Sequence, residues 1–425
     1  MTCTGNIILG VYGRNLGSAI LKCQGRRQGH LKNKVYKNIR VHLLICFLWG
    51  GDFIIYVVNS GDTLFSIAEK TGVPVWKIVY DNQLADREQL AVGQALLLLQ
   101  PGESGSMRGD MYVLGYAYPF IEPYILEQAL GALDELLVFS YGFTFEGELV
   151  PPSTDDLWLI ESAWENNVLP MLVLTPFSGG AFNNQLVKVL TENTEIQDRV
   201  IMNLLAAVED RGYAGVSIDF EYILPENKDS FAVFTGRLKE ALHAEGYRLS
   251  VALAPKTSKE QKGILYQGMD YARLGENTDY AILMTYEWGY TYGPPMAVAP
   301  LNKVRQVVEF AVGQIPPAKL LMGIPNYAYD WPLPYEKGIT KARTIGNVEA
   351  ARLAAENGAR IAFDGTAMCP HFLYAKDGVS HQVWYEDPRS IEAKLNLAKE
   401  YGLKGVGYWN LMRPFRANWL MLDRQ

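Results

Sequence analysis

Two carboxylates stand one residue apart in "GVSIDFEY" (residues 215–222): Asp219 and Glu221, at the end of an apolar run and beside aromatic rings. Alternation along a strand puts Val216, Ile218 and Phe220 on one face and Gly215, Ser217, Asp219 and Glu221 on the other. A buried carboxyl is costly without a partner. The other strand-like ends offer Tyr286, Glu287 and Trp409, and no obvious cation. The pair therefore reads as chemistry rather than as an ion pair bracing a core. Two residues of strand span about 7 Å, so both acids rise from one side of any bound sugar. Glycosidases with two working carboxylates flank the scissile bond from opposite faces. A one-sided pair suits a proton donor with a helper, acting on a substrate that supplies its own nucleophile. A 2-acetamido sugar does this when its carbonyl oxygen closes on C1.

What must position such a pair is a set of strands with a shared end. Strand-like runs recur at 111–118, 135–142, 168–175, 213–220, 247–254, 279–286, 318–325 and 403–410, with helical periodicity between them. Eight buried strands separated by helices predict an α/β fold, a (β/α)8 TIM barrel over 111–425, with its working face at the strands' C-terminal ends. The stretch after the seventh run is too long for one helix. "RIAFDGTAMCPHFLYAKDGVSHQVWYEDP" has β character with a turn at "KDGV", so residues 329–388 are read as a small α+β insertion. It walls one side of a cleft or merely stabilises the barrel; the residues favour neither.

Upstream, residues 53–100 read as a β-α-α-β module: "IIYVV", then "SGDTL" with Asp62 placed to cap a helix, then "PVWKIVYDN" and "ALLLL". "YVVNSGDTLFSIAEKTGV", "IVYDNQL" and "LAVGQALLL" resemble a LysM domain. That resemblance implies binding of N-acetylglucosamine polymers such as peptidoglycan, in a groove between Gly61, Asp62, Thr63 and Leu64 and the loop of Asn82, Gln83 and Leu84. Capping and turn formation are the bland roles of the same residues. Residues 101–110, "QPGESGSMRGD" with its preceding Gln, read as a linker.

"AGVSIDFE" (214–221), "MTYE" (284–287), "GVGYWN" (405–410) and "TPFSGG" (175–180) resemble glycoside hydrolase family 18, whose signatures are DxxDxDxE, MxYD, a last-strand Trp and SxGG. The resemblance implies Glu221 as acid/base, Asp219 as the group that orients the acetamide, and Tyr286 as its hydrogen-bonding partner. Trp409 would be the floor under the sugar, though a barrel-core Trp is an equal reading. Met284 matches the motif, Glu287 replaces its Asp, and Asn326, Tyr327, Asp330 and Trp331 are expected at the cleft rim. Two signature acids are absent: Ala214 and Ser217 stand in their places, so a Ser217 hydroxyl is expected to support Asp219 by a hydrogen bond. Burial among Tyr222, Tyr286 and Trp288 is expected to raise the Glu221 pKa. "DFEY", "MTYEWGYTYGPPMAVAP" and "IPNYAYDWPLP" draw the resemblance toward spore-cortex-lytic N-acetylglucosaminidases. That branch implies peptidoglycan as partner and a place in the spore envelope or cell wall. A chitinase, or a silent glycan-binding lectin, are the alternatives.

Composition agrees with these readings. The 425 residues are 49% hydrophobic and 12% aromatic, enough for a large core plus a small module. Residues 52–425 carry 31 basic and 46 acidic residues, a net −15 that disfavours nucleic acid or an anionic membrane as partner. Cys3, Cys23, Cys46 and Cys369 form no CxxC pair, and no His spacing suggests a metal; no cofactor is expected. Residues 1–52 hold eight Lys/Arg and end in "VHLLICFLWGG". They are expected to be an extension outside the fold: a signal or anchor, or, in the preferred reading, a mis-extended start. No stable membrane insertion is expected, since Asp52 and two Gly interrupt the apolar run.

Overall fold

The computed structural model describes residues 53–85, 89–101, 106–178 and 180–423. The expected extension, residues 1–52, lies outside the described residues, as does part of the 101–110 linker. The first module pairs Phe53–Val57 antiparallel with Ala95–Leu99 and packs helices Leu64–Thr71 and Val75–Asp81 on that ribbon. Leu64, Ile67, Ile78, Leu96 and Leu98 form its core. The first helix is capped by Thr63, not by Asp62. Thr63 Oγ1 accepts from the Ser66 amide, and Ser66 Oγ accepts from the Thr63 amide. Asp62 instead braces the preceding turn, accepting from Tyr56 Oη (2.8 Å), the Asn59 amide (2.8 Å) and Lys70 Nζ (2.6 Å).

Eight parallel strands follow: β1 (Tyr112–Ala117), β2 (Glu135–Phe143), β3 (Leu169–Leu174), β4 (Gly215–Ile218), β5 (Arg248–Leu253), β6 (Tyr280–Leu283), β7 (Leu320–Pro325) and β8 (Gly405–Trp409). Each pairs with its sequence neighbours and β8 pairs with β1, which closes the barrel. Two apolar layers result from the strand alternation. Val216, Ile218 and Phe220 belong to the layer between sheet and helices. Leu114, Leu137, Met171, Val173, Ile282 and Leu321 fill the barrel interior. Close approach near the barrel mouth is set in one place by glycine: a Cβ on Gly323 of β7 would come within 2.8 Å of the Tyr286 ring. That ring lies against bare backbone.

Between β7 and the helix Pro388–Glu400, the chain builds a five-stranded antiparallel sheet. Its spatial order is Arg343–Ile345, Ala328–Leu333, Val379–Trp384, Cys369–Lys376 and Ala362–Asp364, with helix Asn347–Glu356 packed on it. A buried pair, Lys394 Nζ to Glu386 Oε2 at 2.8 Å, ties the end of this insertion to the following helix. The N-terminal module docks on the same region. Ile361 N donates to the Val92 carbonyl (2.9 Å), the Arg389 guanidinium to Gly93 O (3.1 Å), and Arg416 N to Gln83 Oε1 (2.7 Å). Among the described residues no helix is long and apolar enough to cross a membrane.

Candidate active site

β4 ends at Ile218, and the chain runs on through Asp219, whose amide donates to Leu174 O of β3 at 2.9 Å. Asp219 and Glu221 open into a cleft of about 420 Å³ at the C-terminal ends of the strands. β6 and the turn after it bring Met284, Tyr286 and Glu287 to the same cleft, and β8 brings Trp409. Six of the residues singled out in the sequence thus converge from three strands more than sixty residues apart. Tyr222 takes a positive φ of 59° and is 39% exposed; it does not line the cleft, though its ring stands 6.4 Å from that of Phe182, which does.

The electrostatics of the site are those of carboxyls without counter-cations. Among the described residues no Lys or Arg pairs with Asp219 or Glu221 within 4.0 Å. Asp219 is 5% exposed and its Oδ1 has no hydrogen-bond partner. Ser217 Oγ is equally unpartnered, so the expected hydrogen bond between Ser217 and Asp219 is not made. The two side chains share a strand face but stand a full pleat apart. Burial pushes Asp219 well above the ordinary carboxylate range. Burial also raises Glu221, and the charges of Asp219 and Glu287 add to it, to about 8. Burial is thus the first cause of the raised Glu221 pKa, as expected; of the three rings expected around it, Tyr286 lines the cleft and Tyr222 and Trp288 do not.

Glu287 has a positive φ of 68° and is exposed on its cleft side. Tyr327 donates to Glu287 Oε1, and Tyr329 reaches Oε1 at 3.1 Å and Oε2 at 3.3 Å. Both tyrosines come from the insertion, which therefore fixes one of the cleft's carboxyls. Burial raises Glu287 and those two hydroxyls lower it. The Tyr286 hydroxyl is pushed well up by burial, and the charges of Asp219, Glu221 and Glu287 act in the same direction. Trp409 packs edge-on against Phe139 (5.0 Å), Tyr116 (5.3 Å) and Tyr118 (6.2 Å) while lining the cleft, so it is barrel packing and cleft floor at once.

Three expected rim residues do not reach the cleft. Asn326 is buried and its Nδ2 donates to Asn410 O (3.0 Å) and Arg413 O (2.9 Å), tying β7 to the turn after β8. Asp330 accepts from Tyr374 Oη (2.8 Å) and pairs with His381 Nδ1 (2.9 Å) within the insertion sheet. Trp331 is fully buried, its Nε1 donating to Gly293 O at 2.8 Å. Asp330 lies on the opposite strand face from Tyr327 and Tyr329, whereas Trp331 shares their face and cluster but is buried farther along it; only Tyr327 and Tyr329 reach Glu287. In the N-terminal module, Leu64 is core, and Leu84 packs against it. Asn82 replaces a strand partner, exchanging hydrogen bonds with Leu97 N (2.7 Å) and O (2.8 Å). Gln83 is taken up by the barrel through Gln128 (3.1 Å) and Arg416. Gly61, at φ 84°, faces open space.

Sequence reasoning missed the aromatic walls. Phe120 and Phe139 come from the ends of β1 and β2, and Phe177 and Phe182 from a short hairpin after β3. The signal was present in "AYPF" and "VFSYG", whose rings fall at strand ends. It is indistinguishable there from core packing.

Comparison with known proteins places these features. The model of glycosyl hydrolases family 18 matches residues 171–413, and the LysM domain model matches residues 56–98. The cortical fragment-lytic enzyme of Bacillus anthracis is 36% identical over 419 residues, covering 87% of this chain and 97% of the relative. The enzyme of that name from Bacillus subtilis (strain 168) is 35% identical over 424 residues, with the same coverage. The crystal structure of the Bacillus cereus spore cortex-lytic enzyme SleL superposes with a TM-score of 0.82 at 33% identity, over 87% of this chain and 97% of that one. With its closed barrel, the strand-four carboxyls and these matches, the chain belongs to glycosyl hydrolases family 18, a glycoside hydrolase with a LysM domain ahead of its barrel.

Proposed function

We propose that the chain hydrolyses β-1,4 bonds at N-acetylglucosamine in peptidoglycan, acting on fragments of spore cortex, by a substrate-assisted mechanism with net retention. The observation that carries this reading is the one-sided pair: a buried Asp219 and a half-buried Glu221 at the end of one strand, without counter-cations. Glu221, raised to about 8, holds a proton at neutral pH and gives it to the glycosidic oxygen as the C1–O bond breaks. The acetamide carbonyl oxygen bonds to C1 and forms an oxazolinium. Asp219 offers its unpartnered Oδ1 to the acetamide N–H and offsets the positive charge as it develops. Tyr286 donates to the acetamide carbonyl and holds it for attack. Glu221 then takes a proton from the water that opens the ring. Glu287, the third carboxyl of the cleft lining, is engaged by Tyr327 and Tyr329, which suits a positioning group for substrate hydroxyls rather than a nucleophile.

The names of the Bacillus relatives support cortex fragments as the substrate and a spore-associated location. The LysM domain supports an N-acetylglucosamine polymer as partner and fits chitin as well as peptidoglycan. The decisive assay compares N-acetylated glycans with the same glycans after de-N-acetylation, with released ends read by mass spectrometry. The reading requires cleavage of the first and none of the second. Equal cleavage would make Glu287 a protein nucleophile, and binding without turnover would make the barrel a lectin. Digestion of cortex peptidoglycan and chitin side by side identifies the polymer.

A further inference from the structure

A second cavity, of about 250 Å³, shares no lining residue with the catalytic cleft. It lies between the start of the helix Lys228–Ala244, the stretch after β5, and Phe310 with Gln314. Lys256 lines it and is 5% exposed. Its Nζ makes one hydrogen bond, to Met269 O at 3.1 Å, although an ammonium has three N–H groups to satisfy. Lys228 and Lys259 line the same cavity, and among the described residues none of the three lysines has a carboxylate within 4.0 Å.

The other polar groups of the wall do not supply the missing acceptors. Gln261 and Gln267 turn their carbonyl oxygens to the amides of Thr257 (2.7 Å) and Gly263 (3.1 Å), which leaves their NH₂ ends as the available groups. Of the two acids, Asp270 accepts from the Arg273 amide at the head of its helix (3.3 Å), and Glu260 is exposed at the rim. Lys228 is the first residue of a 17-residue helix, whose positive end borders the cavity. Burial presses Lys256 toward its neutral form; the charge of Asp270 opposes it, that of Lys228 adds to it, and that of Glu260 opposes it last. A buried ammonium with unmet donors, in a wall where three lysines face two carboxylates and neither carboxylate bonds to Lys256, has room for one more anion.

We propose that this cavity binds a small oxyanion, a phosphate or a carboxylate, with Lys256 as the buried anchor and Lys228 and Lys259 at the mouth. The test is calorimetric titration of the full chain with inorganic phosphate, at ionic strength held constant with chloride, and acetate in a parallel arm. Saturable binding at one site per chain is expected. Lys256→Met should weaken it tenfold or more and Lys259→Met, at an exposed position that does not threaten folding, about threefold. Lys376→Met, on the insertion's exposed hairpin, should change nothing. Absence of saturable binding to either anion, or wild-type binding by both Lys256→Met and Lys259→Met, overturns the proposal. The source of the anion follows from a kinetic arm. Phosphate that raises KM for peptide-bearing peptidoglycan fragments, but not for neutral chitooligosaccharides, identifies a carboxylate of the substrate; an absence of competition identifies the free ion. The binding arm needs no turnover, so it stands or falls apart from the function proposed above.

Discussion

Replacing Glu221 by Gln removes a proton donor and a buried charge together, and the structure separates the two effects. In the wild type the Glu221 carboxyl rises from an ordinary 4.5 to about 8, through burial first and the charges of Asp219 and Glu287 second. Its folded-state pKa therefore lies above the unfolded one. The folded chain holds a proton that the unfolded chain has released, so this group's contribution to stability is complete below about pH 4.5 and is lost as pH rises through 8. The full shift corresponds to roughly 5 kcal/mol, and solvent in the cleft screens part of it, leaving about 2–4 kcal/mol. The amide of the Glu221→Gln variant resembles the protonated acid and does not titrate. The variant should match the wild type in Tm at pH 4.5 and exceed it at pH 8.5 by about 2–8 °C, for a domain of this size. Hydrolysis should fall about 10²–10⁴-fold at every pH. Differential scanning calorimetry at the two pH values, with turnover of an N-acetylated glycan, measures both. A variant that keeps a tenth of the activity removes Glu221 from the mechanism. A Tm difference that does not open with pH removes the buried, cation-free carboxyl on which the assignment rests.

Other perturbations test the neighbouring parts. Tyr286→Phe should lower kcat by about 10–100-fold with little change in KM, because the hydroxyl is used as the acetamide closes on C1; steady-state kinetics decide, and a pure KM effect would make Tyr286 a binding group only. Gly93→Ala places a Cβ 2.0 Å from Ile361 O at a φ of 89°, so it should loosen the LysM domain from the barrel at a cost of about 1–3 kcal/mol. Faster proteolysis within residues 101–110, with unchanged turnover of short soluble fragments, is the expected result. Lys394→Met leaves Glu386 buried and unpaired and should destabilise the fold by about 3–5 kcal/mol in chemical denaturation. A Lys394→Met/Glu386→Leu double variant should recover much of that loss.

Much of this was legible in the residues because strand alternation is a local record of burial. Val216, Ile218 and Phe220 declare one face of β4 and Asp219 with Glu221 the other, and eight such runs separated by helices leave few folds to choose from. The motif residues Met284, Tyr286 and Trp409 could be placed at strand ends for the same reason. The same logic failed at Asn326, Asp330 and Trp331. They sit just beyond a barrel strand end, but Asn326 is taken up by the turn after β8, and by Asp330 and Trp331 the chain has entered a second sheet that packs both of its faces. Asp62 and Thr63 were confused because both types cap helices, and only the entry angle of the chain selects between them.

Tertiary structure alone decided what meets across distance. Nothing local indicates that Tyr327 and Tyr329 would hold Glu287, that Phe139 would wall a cleft as well as a core and Phe177 a cleft, or that Gln83 would be taken up by the barrel. Nor does Ser217 signal that its hydroxyl would stand unpartnered, a pleat away from Asp219. Sequence determines which side of each element leaves water, since that depends on residue type and period. Which buried sides then face one another, and which polar atoms remain without a partner until a ligand arrives, depends on packing among segments a hundred residues apart.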